Sequence, residues 1–281
     1  MEQTDTAVLG MGIMGRALSD NLSADGVLTA TWNRSPVQGA PLFQADIQAA
    51  VAKAHILLVV VSDGSAVMAI ADKVLPYLTR EHIVVNCATV SPDENLAIQK
   101  RIQSTGAAFC EALMGGSKLA AVNRKLPFYL GGDKQVVDAV LPVLEPLSSI
   151  CIHVGATGTA SVAKLAMNLN LAMQVEALCE SYAYATSNGL TDDQYFTVLR
   201  NNTGWNYLCE YKEPKLREKN YDPQFSVRNM LKDVRLALAT DKSSAGLTLL
   251  KQAESIYARG EAQGLGDEDM IALYKLLQQS A

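Results

Sequence analysis

The sequence predicts an α/β chain in two parts. An N-terminal doubly wound parallel sheet over residues 1–156 is joined by a long helix to an all-α domain over residues 157–281. Three observations predict this. A short apolar run, Thr6-Ala7-Val8-Leu9, leads straight into Gly10-Met11-Gly12-Ile13-Met14-Gly15 and then into a segment of helical spacing. Strand-like apolar runs alternate with helical patterns for about 150 residues, as a doubly wound sheet requires. From Gly158 onward no strand pattern recurs.

The opening stretch reads as strand, glycine-rich turn and helix. Gly10 allows the tight turn, Gly12 lets backbone approach a pyrophosphate, and Gly15 lets the helix pack on the strand. The helix start offers free N–H groups and a positive dipole end to phosphates. In this context the spacing predicts a Rossmann-like dinucleotide site at Gly10, Met11, Gly12, Ile13 and Met14. Residues 27–32 read as the second strand, ending in Asn33-Arg34-Ser35-Pro36. The ribose-reading residue of such folds stands here, and it is acidic in most NAD enzymes. A carboxylate repels a 2′-phosphate, whereas a guanidinium binds it. Asn33, Arg34 and Ser35 therefore predict NADP(H). A surface arginine in an ordinary turn is the competing account of Arg34.

Further along, residues 47–53 read as a short helix and 55–61 as a strand buried on both faces. Ser62-Asp63-Gly64-Ser65 is a loop feeding a helix that ends near residue 78. The next strand is 82–86, with Thr89 just beyond it. Ser91-Pro92-Asp93-Glu94 reads as a capped helix start. Residues 107–111, 127–130 and 150–154 are strands, and 133–144 is an amphipathic helix. Ligands of such sheets sit at the carboxyl ends of the strands, where the loops beginning at Gly10, Asn33, Ser62, Thr89 and Ala112 lie.

The second part opens with residues 160–187, which hold no proline or glycine and are rich in Ala, Leu and Met. At 1.5 Å per residue they make a helix of ~42 Å. Asn188-Gly189 stops it, and Thr191-Asp192-Asp193-Gln194 matches a capping box. Further helices are predicted at 192–200, 205–217, 226–240, 244–264 and 267–279. The long helix carries more apolar positions than one stripe needs. That predicts a largely buried helix and association into a homodimer or homotetramer.

Composition narrows the function classes. With 49% hydrophobic and 19% charged residues among 281, a sizeable core forms and disorder is excluded. A net charge of -5 supplies no basic footprint for nucleic acid. Cys87, Cys110, Cys151, Cys179 and Cys209 are odd in number and form no metal-binding spacing, which predicts neither a disulfide framework nor zinc. The polar, acidic start is unlike a signal peptide, and no uncharged apolar run approaches the ~18 residues of a membrane span. A cytoplasmic protein is expected.

One residue stands out chemically. Lys164 lies among Val162, Ala163, Leu165, Ala166 and Met167 on the long helix. A lysine there is paired, directed into a cleft or functional. Asn168 lies one turn later on the same face, so an ammonium donor has an amide beside it. Spacing alone does not separate this from a snorkelling lysine near a structural asparagine. His55, His82 and His153 read as core or surface histidines, Cys110 as a small buried hydrophobe, and no GxSxG or HExxH is present.

Together these segments resemble the β-hydroxyacid dehydrogenases. The resemblance rests on Gly10 to Gly15, Asn33-Arg34-Ser35, Ala88-Thr89-Val90-Ser91-Pro92 and Gly158…Lys164-Leu165-Ala166-Met167-Asn168. It extends to Phe225…Leu231-Lys232-Asp233-Val234-Arg235-Leu236-Ala237 and Gly266-Asp267-Glu268-Asp269, so it covers essentially the whole chain in order. Glu111-Ala112-Leu113-Met114-Gly115-Gly116-Ser117-Lys118 is most similar to the NADPH-using glyoxylate/succinic semialdehyde reductase branch. The resemblance implies a hydride transfer between NADPH and a small carbonyl compound, an aldehyde or keto acid reduced to a hydroxyacid. It implies Lys164 as the catalytic lysine and Asn168 as its companion. It implies Thr89 and Lys232 at the cofactor, beside the Ser62-Asp63 loop that the strand ends already place there, and Gly116 and Ser117 at the substrate's anionic end, with Met114, Gly115 and Lys118 in the same substrate-binding loop.

The chain departs from the family in two places. Gly115 stands where the family has serine, and Leu113-Met114 replaces Pro-Val. This removes a hydroxyl and suits a less acidic substrate, so an NADPH-dependent imine or ketone reductase is the alternative. Imine reductases generally lack the equivalent of Lys164, which favours carbonyl chemistry. A third reading is a weakly active NADP-binding interaction protein. Met167 replaces the histidine of 6-phosphogluconate dehydrogenases and argues against a sugar-phosphate substrate. No nucleic-acid or membrane partner and no metal is expected.

Overall fold

The computed structural model describes residues 4–243 and 246–278. The chain begins with β1 (Thr6–Leu9), α1 (Ile13–Ala24), β2 (Leu28–Trp32), α2 (Ile47–Val51), β3 (Ile56–Val59), α3 (Gly64–Val74) and β4 (Ile83–Asn86). It continues with α4 (Pro92–Gln103), β5 (Ala108–Met114), α5 (Lys118–Val122), β6 (Leu126–Gly132), α6 (Lys134–Leu144) and β7 (Ser148–Gly155). The seven strands form one sheet in the order β2-β1-β3-β4-β5-β6-β7. β1, β3 and β4 are short and buried along their whole length. They read as continuous apolar runs because helices cover both faces.

The sheet is not parallel throughout. β1 to β5 are mutually parallel, but β6 runs antiparallel to β5, and β7 is parallel to β6. The departure of β6 from the otherwise parallel sheet follows from loop length. A parallel crossover needs a dozen or more residues and usually a full helix. The link 115–125 holds only the five-residue α5 and returns as an antiparallel neighbour. The chain order reverses at β1, between β2 and β3, and ligands of open α/β sheets bind at such a point.

After Gly158, α7 (Thr159–Ser187) runs for 29 residues. It is followed by α8 (Asp192–Arg200), α9 (Tyr207–Glu218), α10 (Val227–Ala239), α11 (Thr248–Gly260) and α12 (Lys275–Gln278). Ser91 and Thr191 each form the capping box that their sequences predict, with Glu94 and Gln194. The chain separates into two compact units, the first ending at Lys164 and the second starting at Leu165. The second has its own core, in which Tyr182, Tyr195, Phe196 and Tyr274 pack ring against ring.

Three helical expectations are corrected. The span 244–264 starts only at Thr248, and after Gly260 it loosens into a π turn, Glu261–Leu265, where Gly264 has φ +86. Residues 244 and 245 lie outside the described residues. The span 267–279 is a 3₁₀ turn, Met270–Tyr274, before α12, because Asp269 caps Ile271 rather than an earlier residue; residue 279 lies outside the described residues. Nor is α7 buried all round. Ala172, Val175, Cys179, Tyr182 and Ala185 form one buried stripe, while Val162, Met167 and Tyr184 are exposed at 57%, 50% and 74%.

Candidate active site

The loop after β1 is built by close backbone approach. Gly10 has φ +111, and a Cβ on it would strike the Val60 carbonyl of the chain leaving β3. A Cβ on Gly15 would strike the Gly10 carbonyl. Gly12 differs: open space lies where its Cβ would be, and as N-cap of α1 it provides no side-chain hydrogen bond to the first turn. The first amides of α1 are therefore not capped by that residue and no acidic side chain stands in the turn, an arrangement that fits a pyrophosphate. Met11 is buried, Ile13 is exposed and Met14 is half-buried.

Asn33, at the end of β2, has a definite task. Its Oδ1 accepts from the Met11 amide at 3.1 Å, and its Nδ2 donates to the Ser35 carbonyl at 2.9 Å. The amide thus ties the glycine loop to the turn that carries Arg34. Arg34 itself is exposed and makes no ion pair among the described residues. Asp63 shapes the loop after β3. It caps α3 through the Ala66 amide and accepts from the hydroxyls of Ser62 and Ser65 at 2.6 Å each.

A buried polar chain joins the loop after β4 to the start of α7. Asn86 holds Ala88 through both its amide groups, and so sets the turn that carries Thr89. Asn86 also donates to Asn95 of α4 at 2.8 Å, and Asn95 donates to Glu111 of β5 and to Ser161 of α7. Glu111 is fully buried, and it accepts from the Gly158 amide, the Ser161 amide and the Ser161 hydroxyl. Burial pushes its carboxyl above the usual carboxylate range, against those hydrogen bonds, which pull it down. Lys164, itself buried, follows Ser161 by three residues on the same helix. Asn86, Asn95, Glu111 and Ser161 have no assigned role in the sequence reading. For Asn86 and Glu111 the available signal is a polar residue inside, or at the end of, an otherwise apolar strand.

In the second unit, Asn168 is buried and donates through Nδ2 to Asp233 Oδ2 at 2.6 Å. Lys232 lies 2.7 Å from the other oxygen, Asp233 Oδ1. Asp233 thus orients the amide that stands one turn beyond Lys164 on α7 and holds Lys232. It too has no role in the sequence reading, although it stands beside Lys232. On the remaining loop, Met114 ends β5, the Gly115 amide donates to the Pro127 carbonyl at 2.8 Å, Gly116 has φ +82, and Ser117 precedes α5. Among the described residues, no group of three or more His, Cys, Asp or Glu could hold a metal. None of the described helices is long and apolar enough to cross a membrane.

Comparison with known proteins gives a consistent result. Residues 5–155 match the profile of the NAD-binding domain of 6-phosphogluconate dehydrogenase. Residues 158–277 match that of the NAD-binding domain of NADP-dependent 3-hydroxyisobutyrate dehydrogenase. The chain is 26% identical to glyoxylate/succinic semialdehyde reductase 1 of Arabidopsis thaliana, with 98% of each chain covered. It is similar to the solved structure of 3-hydroxyisobutyrate dehydrogenase from Mycobacterium tuberculosis with L-serine. There the TM-score is 0.87 at 27% identity, over 97% of this chain and 98% of that one. An imine reductase from Bacillus cereus shares the fold at TM-score 0.60 and 19% identity, over 97% and 98% of the two chains.

Proposed function

This chain belongs to the 3-hydroxyisobutyrate dehydrogenase family of nicotinamide-dependent oxidoreductases; from that premise we propose that it is an NADPH-dependent reductase of small carbonyl acids, converting an aldehyde or keto acid to a hydroxyacid. When bound, the reduced nicotinamide supplies the hydride that the carbonyl carbon accepts. Lys164, as the ammonium, stabilises the developing alkoxide and transfers a proton to the carbonyl oxygen. The neutral amine is then reprotonated from solvent. Asn168, oriented by Asp233, holds the lysine or the carbonyl, and Lys232, paired with Asp233, is assigned to the cofactor. The Met114-Gly115-Gly116-Ser117 loop, with Lys118, receives the anionic end. Ser62, Asp63 and Thr89 line the cofactor side, and the glycine loop takes the pyrophosphate.

The observation that carries this reading is a buried lysine one helical turn from an asparagine whose amide is fixed by a carboxylate. NADP over NAD rests on the exposed Arg34 guanidinium beside Asn33, whose side chain is engaged with the glycine loop. The exposed apolar residues of α7 support a homodimer or homotetramer, read by light scattering. The domain boundary at 156/157 and the cytoplasmic setting belong to the same proposal.

A substrate panel with NADPH and NADH in parallel tests it. Glyoxylate and succinic semialdehyde are expected to oxidise NADPH faster than NADH, and faster than cyclic imines or apolar ketones do. Faster turnover of the imines would move the protein to the imine reductase reading, which Leu113, Met114 and Gly115 favour. Tight NADPH binding with no turnover on any compound would make it a cofactor-bound interaction protein.

A further inference from the structure

The glycine at 115 is imposed by its surroundings and leaves a gap in the chemistry of its loop. Its backbone torsion is not in the left-handed region, so conformation does not demand glycine. Space does: a Cβ at 115 would lie 2.7 Å from Cγ of Pro127 on β6. A serine therefore cannot enter unless that ring moves. The same Cβ position lies 3.3 Å from the hydroxyl of Tyr129. A phenol oxygen thus stands about where a side-chain hydroxyl at 115 would begin.

Register explains how it gets there. Glu111 opposes Gly131 and Leu113 opposes Tyr129 across the antiparallel pair, and the Gly115 amide bonds Pro127 one step further on. Directly opposed residues point to the same face of a sheet. Tyr129 therefore shares a face with Glu111, whose carboxylate grips the Gly158 and Ser161 amides at the start of α7. The half-buried phenol stands on that face between the 114–117 loop and the helix start that leads to Lys164. Among the described residues its hydroxyl has no hydrogen-bond partner, and it is not a fully buried group that must find one within the protein.

We infer that the Tyr129 hydroxyl replaces the missing side-chain hydroxyl at 115 as a hydrogen-bond donor to the carboxylate of the substrate. This rests on the proposed function for the role of the 114–117 loop. It makes Tyr129, with Pro127 and Gly115, a unit that sets specificity from β6: the hydroxyl is retained but delivered on a rigid strand and a longer reach.

The test uses 4-hydroxybutyrate as the probe, titrated by calorimetry into the NADP+-loaded protein, alongside NADPH oxidation by succinic semialdehyde. Tyr129→Phe keeps the ring and removes one oxygen. It is expected to weaken 4-hydroxybutyrate binding about tenfold, the effect of one hydrogen bond to a charged group. The KM for succinic semialdehyde should rise similarly, with kcat changed less than about threefold. Combining Tyr129→Phe with Gly115→Ser and Pro127→Ala moves the hydroxyl back to the loop and is expected to restore binding. Unchanged affinity in Tyr129→Phe, no binding by the wild type, or no recovery in the triple variant overturns the assignment. Binding that depends on Tyr129, in a protein that reduces none of the carbonyl panel, upholds the assignment and overturns the reductase reading instead.

Discussion

At the scale of single residues, the site divides into groups that act and groups that hold them. Lys164 is buried in a segment of apolar neighbours, where an ammonium has few solvent contacts, which suits the directed donor proposed for it. Lys164→Ala is expected to lower kcat by about 10³-fold, the scale of a lost general acid, while the NADPH dissociation constant stays within about threefold; turnover within tenfold of wild type would remove Lys164 from the mechanism. Arg34 is the opposite case, exposed and outside any ion pair among the described residues. Arg34→Ala is expected to weaken NADPH about tenfold and leave NADH unchanged, since a charge-assisted contact to phosphate is lost at an accessible site. Fluorescence titration with both cofactors reads this, and equal losses for the two would refute a 2′-phosphate contact. The tight turn at Gly10 is legible in sequence because its φ of +111 belongs to the turn itself. The partner of Asn33 is not, because Met11 lies on a different element and meets it only when β1 and β2 pair.

At the scale of elements, the start of α7 is set by one carboxylate on the sheet. Glu111 Oε2 takes the Gly158 amide, and Oε1 takes the Ser161 amide, the Ser161 hydroxyl and the Asn95 amide. A helix N-terminus buried without acceptors is unstable, so this side chain does from β5 what a local cap does elsewhere. Sequence reading locates α7 to within a residue, yet gives no hint of this anchor, since its donors come from α4 and α7 and are distant in the chain. Glu111→Gln keeps the shape but turns an NH₂ toward a set of donors. The expected cost is about 1–3 kcal/mol, the penalty of a buried donor left unsatisfied. Urea unfolding should show a lower midpoint at unchanged slope. The same element scale explains where helical periodicity misleads. The 244–264 and 267–279 patterns are apolar with helical spacing, but Gly264 at φ +86 and the Asp269 cap divide them into turns that periodicity cannot register.

At the scale of the whole molecule, alternation of strands and helices reveals the sheet, and loss of strand pattern after Gly158 reveals the helical part. The reversal of β6 stays hidden, because strand direction depends on the length of a connection and not on residue type. Global stability carries a further signature, set by a second carboxyl. Glu176 on α7 has one oxygen buried with no hydrogen-bond partner among the described residues. Burial, reinforced by the Glu180 carboxylate and opposed by Arg259, pushes its pKa up to about 8. The unfolded chain ionises this group near the ordinary value of 4.5, whereas the folded chain resists ionisation until about 8. The favourable contribution of the neutral form is thus fully present below about pH 4.5, erodes as pH rises, and is gone above about pH 8. Glu176→Gln keeps the side chain neutral at every pH and removes that erosion. Calorimetric melting is expected to show the variant level with wild type near pH 4.5 and more stable at pH 8.5. The gain is on the order of 2 kcal/mol, below the full linkage value because the group is partly hydrated. A stability difference that does not change between those two pH values would show that Glu176 ionises alike in both states.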